Sequence, residues 1–275
     1  DQPTVLQNDY VRMVFEPRYA GLASMVDAAS GIDHIHQVPD AHALWQISFT
    51  DDTGTVDIDN AHCPYQSATV TRTWNGTQRA TFRWTGLPFE DKAGGGVVEV
   101  EVELPRDSGI ASWKIRVENK SRTLGLSYVD FPKVNGFLEA RTYDLAGSFG
   151  HRETWGSLYR GFTGRLQMRY PDGWRGMSTQ FICASQVASS VYMAAHDPRA
   201  WFKEFICRST WWAWMAPLLF ATRSHTSFLC GLRQTSRYKY CLIDSWKCKI
   251  CRRTARSARG TSFASMAARI SPNAS

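Results

Sequence analysis

Ser67-Ala-Thr-Val-Thr-Arg-Thr-Trp74, Asn75-Gly76, Arg79-Ala-Thr-Phe-Arg-Trp84 and Val97-Val-Glu-Val-Glu-Val-Glu-Leu104 are the stretches on which the reading of the fold turns. The first and third are rich in β-branched and aromatic side chains, which suit a pleated, half-buried surface. Between them stands Asn-Gly, the pair that best tolerates the positive φ of a tight hairpin. Residues 67–74 and 79–84 are therefore predicted to be the arms of a hairpin. The last stretch alternates strictly, with Val98, Val100, Val102 and Leu104 on one side and Glu99, Glu101 and Glu103 on the other. A period of two puts these sets on opposite faces of a strand, one buried and one solvated.

The same pattern extends in both directions. Toward the C-terminus, Ile110–Val117 places Trp113, Ile115 and Val117 on one face and Lys114 and Arg116 on the other, and Glu118–Ser121 turns the chain. Further strands are expected at Gly125–Pro132, Gln180–Ala184 and Val191–Ala195, with Trp201–Phe205 as a last one. Toward the N-terminus, Tyr10–Phe15 and Gly21–Val26 form an opening hairpin around Pro17 and Gly21, and Leu44–Phe49 is a third strand. About a dozen strands with no helical periodicity predict an all-β fold: a large antiparallel β-sandwich, incomplete, with an irregular or disordered C-terminal tail.

Charge and cysteine divide the chain at one point. Residues 1–205 carry 20 Lys and Arg against 24 Asp and Glu, whereas residues 206–275 carry 12 against Asp244 alone. The formal net charge of +7 thus belongs to the tail, and a nucleic-acid partner is not expected of the sandwich. Cys63 and Cys183 stand alone in the first part, too few for a disulfide framework; Cys207, Cys230, Cys241, Cys248 and Cys251 follow. The apolar run Trp211–Phe220 is too short to span a bilayer, which takes roughly 20 residues, so no membrane partner is expected. Two domains follow: a sandwich over 1–205, and a basic, Cys- and Arg-rich segment over 206–275 that is not a native domain. A change of reading frame near residue 206 accounts for such a composition. A zinc knuckle on Cys248-Lys-Ile-Cys251 lacks a second ligand pair at the right spacing, and a basic nucleic-acid arm is the third reading.

The sandwich part resembles galactose-mutarotase-like, or supersandwich, domains that precede a (β/α)₈ catalytic barrel in large bacterial carbohydrate enzymes. The resemblance is carried by Asn8–Phe15, Gly21–Asp27 with Gly31, Leu44–Phe49, Val129–Val134, Met177–Phe181 and, most specifically, Val191-Tyr-Met-Ala-Ala-His-Asp-Pro-Arg-Ala-Trp-Phe-Lys203. It covers about three quarters of the chain and implies a truncated, non-catalytic module of a glycoside-hydrolase-like enzyme, exported or periplasmic by default. Its implied partners are carbohydrate and the catalytic barrel that this chain lacks. Glycoside cleavage uses paired carboxylates, which such families place on the barrel, so no catalytic residue transfers to this sequence. Two further readings stand beside it: an aldose mutarotase-like epimerase, and a free carbohydrate-binding protein.

The candidate substrate-binding residues are Trp155, Tyr159, Arg160 and Trp174, in a turn-rich stretch over 147–176, and His196 with Asp197 at a strand end. Aromatic rings stack on pyranoses and guanidinium groups bind hydroxyls or acidic sugars; the same residue types, with Arg152, also suit an interface with the barrel. His196 and Asp197 provide the imidazole and carboxylate that mutarotases use for proton transfer, although Asp197-Pro198 equally begins an ordinary turn. His34 and His36 alternate but lack a third ligand, so no metal is expected, and no cofactor. Gly94-Gly-Gly96 lacks the Lys-Ser/Thr of a phosphate loop, and no Gly-x-Ser-x-Gly elbow occurs.

Overall fold

In the computed structural model the described residues are 2–35, 44–63, 67–88, 96–121, 123–135, 142–147, 151–154, 164–171, 177–185, 188–196, 203–211, 224–231 and 240–252. All of their regular structure is strand, and every pairing between strands is antiparallel.

The chain opens with a three-stranded meander of β1 (Thr4–Gln7), β2 (Val11–Phe15) and β3 (Leu22–Asp27). β4 (Gln46–Thr50) and β5 (Thr55–Asp59) form a hairpin that β10 (Gly125–Asp130) joins from the other side. Between them β6 (Ser67–Arg72), β7 (Gln78–Thr85), β8 (Gly96–Leu104) and β9 (Ile110–Asn119) run back and forth as one half of a nine-stranded sheet. Its other half is β12 (Thr142–Gly147), β13 (His151–Thr154), β15 (Met177–Ser185) and β16 (Ser189–Ala195). A four-stranded sheet takes β11 (Lys133–Asn135), β14 (Gly164–Tyr170), β17 (Lys203–Trp211) and β18 (Ser224–Gly231). The last strand, β19 (Tyr240–Arg252), pairs on one edge with β16 and on the other with β9.

The alternating stretches behave as their periodicity requires. Val98, Val100, Val102 and Leu104 are buried, as are Trp113, Ile115 and Val117 on the neighbouring strand. On the outer face Glu103 pairs with Arg79 at 2.7 Å, Glu99 with Arg83 at 3.6 Å and Glu101 with Lys114 at 3.6 Å. The hairpin of β6 and β7 differs in one respect. Arg72 faces Gln78, so the connection is the five residues 73–77 rather than a two-residue turn. Thr73 N donates to Thr77 O at 2.9 Å and Gly76 N to Thr73 O at 2.9 Å, with Gly76 at φ 82°. Asn75 uses its side chain instead of a left-handed backbone, its Oδ1 accepting from Thr77 N at 3.1 Å. Trp74, expected as the end of a strand, therefore stands in the turn, 99% exposed.

One apolar core joins the sheets. Phe15 of β2 meets Phe82 of β7 at 4.9 Å and Trp113 of β9 at 5.7 Å, while Trp45, just before β4, meets Trp84 of β7 edge-on at 5.3 Å. Trp113 continues to Phe131 at 6.5 Å, between β10 and β11. Phe205 of β17 is buried in the same cluster. Cys63 and Cys183 are buried thiols, Cys183 Sγ lying 3.7 Å from Ser185 Oγ, and burial pushes the Cys63 pKa up to about 12.

The compositional break at residue 206 falls inside β17, and β18 and β19 follow it. Backbone ladders ask only for extended chain with free N–H and C=O groups, which is why these segments pair without the alternation seen before residue 205. The position of β19 makes it consequential, because it alone connects the two four-stranded halves of the nine-stranded sheet. A chain ending at residue 205 is expected to expose the edges of β9 and β16 and to aggregate; size-exclusion chromatography of 1–205 beside the full chain checks this. Equal solubility of the two would show that β19 is dispensable. Trp113→Ala, which removes the ring shared by Phe15 and Phe131, is expected to cost about 3–5 kcal/mol in urea unfolding.

Candidate functional site

Of the expected site residues, only His196 is among the described ones. It is exposed and lies immediately after β16. Trp155, Tyr159, Arg160, Trp174 and Asp197 lie outside the described residues, as does His36.

β17 carries Glu204, which sequence reasoning passed over. Its side chain is 1% exposed, Arg169 Nε donates to its Oε1 at 3.0 Å, and Oε2 has no hydrogen-bond partner among the described residues. A buried, half-satisfied carboxylate is uncommon because desolvation penalises the charge. Nothing in the local pattern of Lys203-Glu-Phe205 signals burial on the Glu side of the strand.

The densest convergence of polar side chains among the described residues lies on β10, β4 and β5. Register sets Tyr128, Ser48 and Asp57 in one row across the three strands. The Asp57 carboxylate accepts from Ser48 Oγ, from Tyr128 OH at 3.3 Å and from Gln46 Nε2 at 3.2 Å. On its other side the Gln46 amide accepts at Oε1 from Lys133 Nζ at 2.7 Å. Cation and anion hold the amide between them, which fixes its orientation: carbonyl toward the ammonium, NH₂ toward the carboxylate. With donors on both oxygens, Asp57 acts as an anchored acceptor rather than a free base. Ser48 is fully buried, so only the Tyr128 phenol, the Gln46 amide and the Lys133 ammonium, all half-buried, remain beside the exposed Asp57 at the surface. These residues are scattered from position 46 to position 133, and the sequence marks Gln46 and Ser48 only as the polar face of a strand.

His34, considered above as a metal ligand, is a buried link instead. It is 1% exposed, with its Nε2 2.8 Å from Ser189 Oγ on β16. Burial holds its pKa below the ordinary 6.5, while Asp27 and Asp33 pull in the opposite direction.

This arrangement of antiparallel sheets has the fold of a galactose mutarotase related enzyme and of part of several α-galactosidases. No family model and no curated protein matches the chain; solved structures do. An α-galactosidase from Lactobacillus brevis superposes with a TM-score of 0.58 at 9% identity, over 91% of this chain and 39% of that one. A GH36 α-galactosidase, AgaA, from Geobacillus stearothermophilus gives 0.55 at 11% identity, over 92% of this chain and 41% of that one. A galactose mutarotase related enzyme from Lactobacillus acidophilus gives 0.52 at 10% identity, over 92% of this chain and 99% of that one. The chain therefore spans about two fifths of each α-galactosidase and nearly all of the mutarotase relative.

The depressed His34 pKa has a sign. Above pH 6.5 the imidazole is neutral in both folded and unfolded chains and the Ser189 contact is fully stabilising. As pH falls below 6.5 the unfolded chain binds the proton first, so stability drops until the folded pKa is passed. Urea midpoints between pH 7.5 and 5 are expected to fall with acidification, and His34→Gln to flatten that slope.

Proposed function

We propose that this chain is a non-catalytic sandwich module of a carbohydrate-active enzyme, which packs against and shapes a catalytic (β/α)₈ domain carried elsewhere. The observation that carries the reading is the asymmetry of coverage: nine tenths of this chain matches a part, 39% and 41%, of two much longer α-galactosidases. The engagement of its acids favours the same reading. Asp57 is occupied by three donors, Glu99, Glu101 and Glu103 lie in ion pairs, and Glu204 meets Arg169. Glycoside hydrolysis needs two carboxyl groups about 5–10 Å apart on either side of the scissile bond. The break in composition bears on the proposal too. If the reading frame changes near residue 206, another frame of the gene continues with alternating strands, and the nucleotides beyond that codon test it.

The second reading is an aldose mutarotase-like epimerase, favoured by the 99% coverage of the mutarotase related enzyme. It gives His196, exposed at the end of β16, the proton-transfer role, with Asp197 beside it in sequence. Polarimetry of freshly dissolved α-D-galactose and α-D-glucose separates the two. The module reading expects the rate of buffer alone; catalysis that disappears in His196→Ala overturns it.

A further inference from the structure

The turn between β1 and β2 and the hairpin of β6 and β7 enclose a groove of about 300 Å³. This is the low end of the range for small-molecule sites. Its floor is built from the Gln7 backbone and the side-chain amides of Gln78 and Asn8. Gln7 N donates to Gln78 Oε1 at 3.2 Å, and Gln78 Nε2 donates back to Gln7 O. Asn8 Nδ2 donates to Pro105 O at 2.6 Å and Ser108 O at 2.8 Å, and its Oδ1 accepts from Tyr10 N and Val11 N, both at 2.9 Å. The amides thus hold the walls and leave recognition to the charged residues.

Those are Arg72, Arg106 and Asp9. The two guanidinium groups have no acidic partner among the described residues, and against the one carboxylate they leave the groove net positive. Arg106 is positioned by its neighbour. A Cβ at Gly76 would lie 2.8 Å from Arg106 Cδ, so the bare glycine lets the arginine stem cross the turn. Between Arg72 and Gly76 in the chain stands Trp74, whose indole is 99% exposed. The arginines supply planar forks suited to oxyanions, and Trp74, on the same turn as Gly76 though outside the groove lining, adds an uncovered aromatic face; together they match a sugar ring bearing an acidic group.

We propose that this groove binds an acidic pyranose, with Arg72 and Arg106 taking its oxyanion and Trp74 stacking on its ring. The oxyanion belongs either to a uronic acid or to a sugar phosphate. The sugar half of the proposal rests on the carbohydrate reading above; the anion half rests on the two arginines alone.

Isothermal titration of the full chain with D-galacturonate, D-galactose 6-phosphate, D-galactose and inorganic phosphate tests it. At least one acidic sugar is expected to bind tenfold or more tightly than galactose, and which one does so identifies the oxyanion. Arg72→Gln and Arg106→Gln are each expected to weaken that binding at least tenfold. Trp74→Ala should weaken it similarly while sparing any affinity for inorganic phosphate. All three side chains are at the surface, and unchanged thermal melting of the variants confirms that they fold. Acidic sugars that bind the Arg72→Gln/Arg106→Gln double variant as they bind the unaltered chain would overturn the proposal. So would inorganic phosphate binding as tightly as any sugar, with Trp74→Ala without effect. Neutral sugar that binds regardless of the three substitutions would sink this groove and leave the carbohydrate reading standing; no sugar bound at all would sink both.

Discussion

The sandwich is held by aromatic rings from different sheets meeting in one place. Phe15, Phe82, Trp113 and Phe131 make a continuous chain of contacts, and Trp45 against Trp84 makes another, so the meander, the β10–β4–β5 sheet and the nine-stranded sheet share one interior. Each pair adds about 0.5–1.5 kcal/mol beyond the area it removes from water. Shape, more than hydrogen bonding, dominates there: the Trp45 and Trp113 indole N–H groups are buried without an acceptor among the described residues. Packing outweighs a penalty of about 1–3 kcal/mol per unmet donor. The polar features lie around this interior, and its rigidity is what keeps them in register.

How much of this was legible in the sequence depends on the range of the interaction that fixes each part. β8 and β9 were fully legible, because alternation is a property of neighbouring residues and burial follows it. The β6–β7 hairpin was legible in existence but not in length. Asn-Gly signals a tight turn, yet the Asn75 side chain and the Thr73–Thr77 backbone pairing hold five residues in the loop. The error matters, because it moves Trp74 from a strand to an exposed tip. The division into sheets was not legible at all, since the sequence does not say that β10 pairs with β4 or that β19 lies between β16 and β9.

The polar sites were less legible still. Asp57 meets Tyr128 across 71 positions, and Lys133 meets Gln46 across 87. His34 lies 155 positions from the serine that binds it. A histidine in an extended segment reads locally as a possible ligand, and only the fold reveals that its nitrogen is already engaged. The aromatic and basic stretch over 147–176 drew notice because its residue types are expressive, whereas the Arg72–Arg106 groove did not, because neither arginine stands near the other in sequence.

The glutamate ladder of β8 has a consequence for how the strands find one another. Valine alternation by itself is degenerate: shifting β7 against β8 by two residues keeps every apolar side chain facing inward. The charges lift that degeneracy. In the native alignment Arg79 faces Glu103 and Arg83 faces Glu99. One such shift would put Arg79 opposite Pro105, and the other would put Arg83 opposite Val97. Ion pairs on a solvated face contribute little to the depth of the folded state. Here they act as a vernier, selecting one alignment among several that hydrophobicity alone would accept.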